Sequence, residues 1–279
     1  MSVALALVCA VLWGTADFVG GTATRRSSAS VVLFWSIVAV LPVVAIIAVV
    51  SGDLQMYSVA TPWGAAAGLT ACVGILSLYR GLSTGVMGVV APIASTSVIV
   101  PVVVGLLTGS TIGALCAAGI VLAVIGVVLA GGPNLREFRT GGHRPLLFAL
   151  GAAAGIGLSL VAVARGSETS TITTLAVSRL AYLAVLVPVV MGGRATVRTG
   201  DRTTLRLAVM AGFGDVAAVG LYGLATRSGP VAVTAALASM FPIATLLLAR
   251  RIDGERLVRE QVVGVVLALA GVVVIVTTQ

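Results

Sequence analysis

Lysine is absent from this chain of 279 residues, and charged side chains of every kind make up only 9% of it. A soluble globular protein carries roughly 25% charge. So small a supply cannot cover a water-exposed surface, which excludes a cytosolic enzyme and a nucleic-acid binder. Cysteine is scarce too. Cys9, Cys72 and Cys116 each stand alone in an apolar stretch, with no CxxC pair and no His at ligand spacing, so they read as small buried hydrophobes. The single His, His143, sits in a charged connection. No Walker sequence, Gly-rich nucleotide loop after a strand, HExxH motif or Ser/His/acid set occurs. No catalytic residue, metal or cofactor is therefore expected, nor any enzymatic activity. What is present is apolar: 59% of the residues are hydrophobic and the mean hydropathy is +1.16. That is the composition of an integral membrane protein.

The net charge of +8 resembles a polyanion footprint, but all seventeen basic residues are Arg and most lie in short connections between apolar runs. Such residues set membrane topology. A bilayer core takes about 20 apolar residues of helix. Windows of that length fall at 3–21, 29–50, 62–81, 86–107, 111–131, 145–164, 171–191, 205–224, 229–249 and 260–277. Lipid leaves no partner for open backbone groups, and these runs are too long for barrel strands, so each is expected to be a helix. The first lacks a basic leader and carries Asp17, unlike a signal peptide.

The chain repeats itself. A shift of 144 positions brings Ala67-Gly68 onto Ala211-Gly212, Gly85 onto Gly229, Val89 onto Val233, Ala91 onto Ala235, Ala94-Ser95 onto Ala238-Ser239 and Ile99 onto Ile243. One residue later in register, Gly109, Gly119, Ala123 and Gly126 fall on Gly254, Gly264, Ala268 and Gly271. Five spans per copy is an odd number, so the second copy must enter the bilayer in the opposite sense, as in inverted-repeat secondary transporters. The expected fold is an all-α integral membrane protein of ten transmembrane helices in two inverted five-helix repeats, residues 1–132 and 145–279, joined by a loop at 133–144. Fourteen Arg residues lie in odd-numbered connections and two in even ones. The positive-inside rule then puts both termini outside.

Charges inside spans are costly and mark cavities or partners. Asp215 lies near the middle of the eighth span, on one helix face with Val219 and Tyr222. Arg179, mid-way along the seventh, is placed to pair with Asp215 or to receive a substrate carboxylate. Asp17 follows Trp13 by four residues on the first span; there it is placed to hold a cation, take up a proton, or cap the helix end. Asp17 and Asp215 are the coupling candidates. Trp35, Tyr79, Phe213 and Phe241 are candidate cavity aromatics, and Trp63 opens a span as an interfacial anchor. Tyr79-Arg80 ends the third span as a gate or an anchor. Pro242 reads as a break in the ninth helix, freeing a backbone carbonyl. Ser95 and Ser239 hold matching places in the two copies, each set either to donate to a substrate or to bond its own helix. The small-residue faces Gly119, Ala123, Gly126 and Gly264, Ala268, Gly271 are packing seams. Asp253-Gly254-Glu255-Arg256 is a polar turn, with Glu255 set to meet Arg259.

The chain resembles the EamA-type branch of the drug/metabolite transporter superfamily over nearly its whole length. The likeness rests on Leu12-Trp13-Gly14-Thr15 with Asp17-Phe18, and on Tyr222 to Ala225. It continues through Arg227-Ser228-Gly229-Pro230, Leu237-Ala238-Ser239-Met240-Phe241-Pro242, Gly254-Glu255-Arg256-Leu257, Gly264 and Ala270-Gly271-Val272. The first copy departs from it, with Gly109-Ser110 where the second has Gly254-Glu255. The resemblance implies a multi-pass carrier of the bacterial inner membrane with helices one, three, four, six, eight and nine around a central cavity. It adds weight to Trp13, Ser95, Tyr222, Ser239 and Pro242 as cavity residues. It also implies cytoplasmic termini, against the Arg distribution. The function expected is alternating-access transport, in the export direction, of a small amino-acid-like or amphipathic metabolite, with protons as candidate coupling ion. The partners are substrate and lipid, with no nucleic acid, for a monomer or homodimer. The alternatives are an exporter of cationic drugs and a non-transporting membrane scaffold.

Overall fold

The computed structural model describes residues 1–82, 87–109, 112–132, 143–192, 201–253 and 258–278. All its elements are helical. They are α1 (Ser2–Thr24), α2 (Ala29–Val50), α3 (Ala60–Leu82), α4 (Met87–Ser95), α5 (Ile99–Leu107) and α6 (Ala114–Ala130), then α7 (His143–Thr169), α8 (Thr171–Gly192), α9 (Arg202–Arg227), α10 (Val231–Ala238), α11 (Phe241–Leu248) and α12 (Arg259–Thr277). Among the described residues, nine helical stretches are long and apolar enough to cross a membrane, and α6 is a shorter apolar helix. At 1.5 Å per residue α6 still reaches about 26 Å, and it runs antiparallel to α12.

Two spans are broken along their length. A 3-10 turn at Thr96–Val98 separates α4 from α5, and the chain steps between α10 and α11 at Ser239–Met240. Pro242 is not interior to a helix, as the spacing predicts; it stands in the first turn of α11. There its missing N–H costs nothing, because first-turn amides have no intrahelical acceptor. The turn Gly254 to Arg256, the Glu255–Arg259 pair, Gly85 and the side chain of Val89 lie outside what is described, as do most of the 133–144 loop and Arg136, Arg139, Arg194 and Arg198.

Glycines decide which helices touch. The two small-residue seams face each other: Gly126 lies on Ala268, Gly264 on Ala130, and Gly271 on Ala123. Antiparallel contacts also join α1 to α9, through Gly20 and Ala211, and α3 to α7, through Gly74 and Gly155. Other contacts come in matched pairs. Gly14 on α1 abuts the Phe241 carbonyl and Ala244, while Gly157 on α7 abuts the Ser97 carbonyl and Val100. Gly68 on α3 meets the Ser178 carbonyl on α8, while Gly212 on α9 meets the Ser36 carbonyl on α2. A Cβ at any of these glycines except Gly20 would collide with backbone.

The Arg-rich face ties connection to connection. Arg25 pairs with Asp253 at 3.0 Å and Arg26 with Asp201 at 3.4 Å. Asp201 caps α9 by accepting from the Thr203 amide at 3.0 Å. That amide above all, with Thr204 and Arg26, holds the Asp201 carboxyl below the ordinary carboxylate range. Its contribution to stability is therefore present above about pH 4 and fades as pH falls through the lowered value. On the opposite face Ser170 Oγ, fully buried, donates to Asp53 Oδ2 at 3.0 Å and accepts from the Thr173 amide at 3.0 Å. Gln55 N donates to Thr173 Oγ1 at 2.8 Å. Ser2 lies beside Gly229 on this face, and α12 ends there, so both termini share it.

Two substitutions test the packing. Gly126→Val should lower the thermal stability of detergent-solubilised protein by about 1–3 kcal/mol through overpacking of the α6–α12 seam. Gly21→Ala, with open space at its Cβ position, should be neutral or stabilise by up to about 1 kcal/mol through helix propensity. Equal losses in both would remove the seam as a source of cohesion.

Candidate functional site

Helices α1, α8 and α9 meet through three polar side chains. Trp13 Nε1 donates to Asp215 Oδ1 at 3.0 Å, and Arg179 Nη1 donates to Asp215 Oδ2 at 2.6 Å. The Arg179 side chain is 5% exposed and that of Asp215 38%. A charge as dry as that guanidinium needs its carboxylate, and Asp215 supplies it. The indole ring, fixed by its N–H bond, lies 5.8 Å from the Tyr222 ring and 6.1 Å edge-on from Phe241. The aromatic group thus joins α1 to α9 and α11. Thr245 Oγ1 adds a bond at 3.0 Å to the Gly14 carbonyl. Arg179 Nε and the Tyr222 hydroxyl are buried without a hydrogen-bond partner among the described residues.

Asp17 is placed differently. Val8, Val11 and Thr15 mark the outer, exposed stripe of α1. Asp17 points the other way, one turn beyond Trp13 on the same face. It is exposed, yet protein surrounds it, so it opens into a recess inside the bundle. The field of Asp215 reaches it, and the fields of both carboxylates reach Tyr79 on α3. Among the described residues Asp17 accepts no hydrogen bond and forms no ion pair. Arg179 is paired with Asp215, which leaves Asp17 as the unpaired carboxyl of the recess among the described residues.

The other sequence candidates divide. Tyr79 is half-buried on the Asp17 side, and Arg80 is exposed at the end of α3. Ser95 and Ser239 both donate to their own helices, to Ala91 O at 2.9 Å and Ala235 O at 2.7 Å. Trp35 stands edge-on to Phe34 and packs with Ala23, Val32 and Ala208, apart from the Trp13 group. Phe213 lies on an exposed stripe with Met210 and Leu224, while Phe241 joins Trp13. Trp63 is 37% exposed at the start of α3, where an interfacial anchor belongs. Tyr182 went unremarked in the sequence. It is buried within the fields of Asp215 and Arg179, and its spacing three residues after Arg179 on one helix was the available signal. No three His, Cys, Asp or Glu side chains converge on a metal position among the described residues.

Residues 143–277 match the EamA-like transporter family. This EamA-family domain contributes Arg179, Asp215, Tyr222 and Phe241 to the site, and the preceding half of the chain contributes Trp13, Asp17 and Tyr79. No curated protein matches. Solved structures do, in 26 chains. One, titled only "Crystal structure of protein", superposes with a TM-score of 0.80 at 16% identity, over 100% of this chain and 98% of its own. The EamA-like domain and its partner half thus share one known fold. The chain is a multi-pass helical membrane protein whose residues 143–277 are of transporter type.

Neutralising Asp215 alone should be costly. Asp215→Asn leaves Arg179 charged in a dry surround and should lower stability by on the order of 3 kcal/mol. Arg179→Met with Asp215→Leu should recover most of that loss in thermal unfolding of nanodisc-embedded protein. Additive losses in the double variant would show that the two side chains do not act as a pair.

Proposed function

We propose that the chain is a secondary transporter moving a small amphipathic or amino-acid-like metabolite by alternating access between two inverted five-helix halves, 1–132 and 145–279. The observation that carries this reading is the Trp13–Asp215–Arg179 tie beside the open Asp17. Ionisable groups at membrane depth, meeting at the junction of two halves, are what a solute path requires. The matched contacts support the inverted relation. Phe241 and Ala244 stand 144 positions after Ser97 and Val100, and Gly212 stands 144 after Gly68. In the same way α3 packs on α7 and α8, and α9 packs on α1 and α2.

Each half then rocks against the other about these glycine contacts. The Arg26–Asp201 pair closes one face, and Asp53 with Ser170 closes the other; Arg26 and Ser170 are themselves 144 positions apart. We read the Arg-rich face as cytoplasmic, the termini as outside, and the direction as export. Arg179 is committed to Asp215, so it balances that carboxylate while Asp17 exchanges the proton. Among the described residues Asp215 from α9 bears on Asp17, and both carboxylates bear on Tyr79 from α3.

A solute screen in proteoliposomes under an imposed proton gradient tests this. At least one amphipathic or amino-acid-like solute should accumulate, collapse with a protonophore, and fail to accumulate in Asp17→Asn. Accumulation unchanged in both Asp17→Asn and Asp215→Asn would remove the coupling role. A full panel that moves no faster than through protein-free liposomes would sink the transport reading.

A further inference from the structure

We infer that the recess beside Asp17 selects organic monocations, amines on an apolar or aromatic body, and rejects solutes that carry a free carboxylate. The biological use of this selectivity rests on the transport reading; the binding itself does not. Among the described residues Asp215 from α9 acts on Asp17, and Arg179 from α8 is paired with Asp215. Tyr79 from α3 lies within reach of both carboxylates, and Phe241 and Thr245 from α11 pack on Trp13 and Gly14 of the same helix as Asp17. Asp17 is the carboxyl without a hydrogen-bond or ion-pair partner among these residues.

Arg179 is the group a substrate carboxylate would need. It is 4% exposed and spends Nη1 on Asp215, so an incoming carboxylate would have to break a 2.6 Å contact and leave Asp215 bare. Two acids would then face the newcomer in a medium that screens poorly. An ammonium meets the reverse situation, because it pairs with Asp17, the carboxyl left without a partner among the described residues.

The body of the solute has a place as well. Trp13 stands one helical turn from Asp17, about 6 Å along the axis. Its ring is held in orientation by Asp215 and flanked by Tyr222 and Phe241. A ring surface one turn from a carboxylate suits a short-linker aryl amine, through apolar contact and cation–π attraction.

Three probes of one ring and similar length decide the matter: phenethylamine, phenylalanine and 3-phenylpropionate, titrated calorimetrically into the full-length protein in neutral-lipid nanodiscs. Phenethylamine should bind, and the other two should bind at least about tenfold more weakly, as expected when a charge pair is replaced by repulsion. Asp17→Asn should lose at least about tenfold for phenethylamine, and Asp17→Glu should retain it. The wild-type series decides even where a variant fails to fold. Equal or tighter binding of 3-phenylpropionate or phenylalanine overturns the inference; so does undetectable phenethylamine binding, or an Asp17→Asn protein that binds it as the wild type does. Phenethylamine counterflow in liposomes separates the two readings. Binding without counterflow keeps the cation site and removes transport. Counterflow of phenylalanine that ignores Asp17→Asn keeps transport and removes the cation site.

Discussion

An apolar side chain gains little by leaving lipid for the flank of another helix, so a bundle of this composition coheres where backbones come close enough for dense packing. The glycines at 14, 68, 126, 157, 212 and 264 provide that closeness, each against a carbonyl or amide of a helix from the other half. Few strong side-chain bonds hold the halves together between the membrane faces. The site inherits its geometry from these contacts. Gly14 lets α1 lie on α11, which sets Trp13 beside Phe241, and Gly214 against Ala16 keeps α9 near enough for Asp215 to reach the indole.

With so few charges, the placement of each one carries consequences. Arg179 and Asp215 form one neutral unit that fixes an aromatic ring, so this ion pair acts mainly as architecture. Among the described residues Asp17 differs from Asp215 in exposure and in lacking a partner, although both are single acids in apolar helices. One neighbour, Arg179, makes the settings of the two carboxylates different.

Much of the bundle could be read from the chain alone. Hydropathy located the apolar spans because lipid forbids open backbone, and the 144-residue shift picked out Gly68 with Gly212 and Ser95 with Ser239. The seam from Gly119 to Gly126 was legible as packing because small residues recur on one face. Depth alone singled out Arg179 and Asp215. Other features depend on which helix lies next to which, and no local pattern encodes that. The bond from Trp13 to Asp215 crosses 202 positions. The remoteness of Trp35 from the Trp13 group is likewise a product of tertiary packing. Tyr182 escaped notice because tyrosine in an apolar helix carries no charge to draw attention.

The contacts at the two faces, Arg26 with Asp201 and Ser170 with Asp53, are made of different materials. Arg26 with Asp201 is an open ion pair, 53% and 50% exposed, whereas Ser170 with Asp53 is a hydroxyl–carboxylate contact whose hydroxyl is fully buried. Mobile ions weaken the first within a Debye length of about 8 Å at physiological salt and scarcely touch the second. Raising ionic strength therefore loosens the contact at one rim and spares the contact at the other, so the two faces of the bundle answer differently to the electrolyte around them.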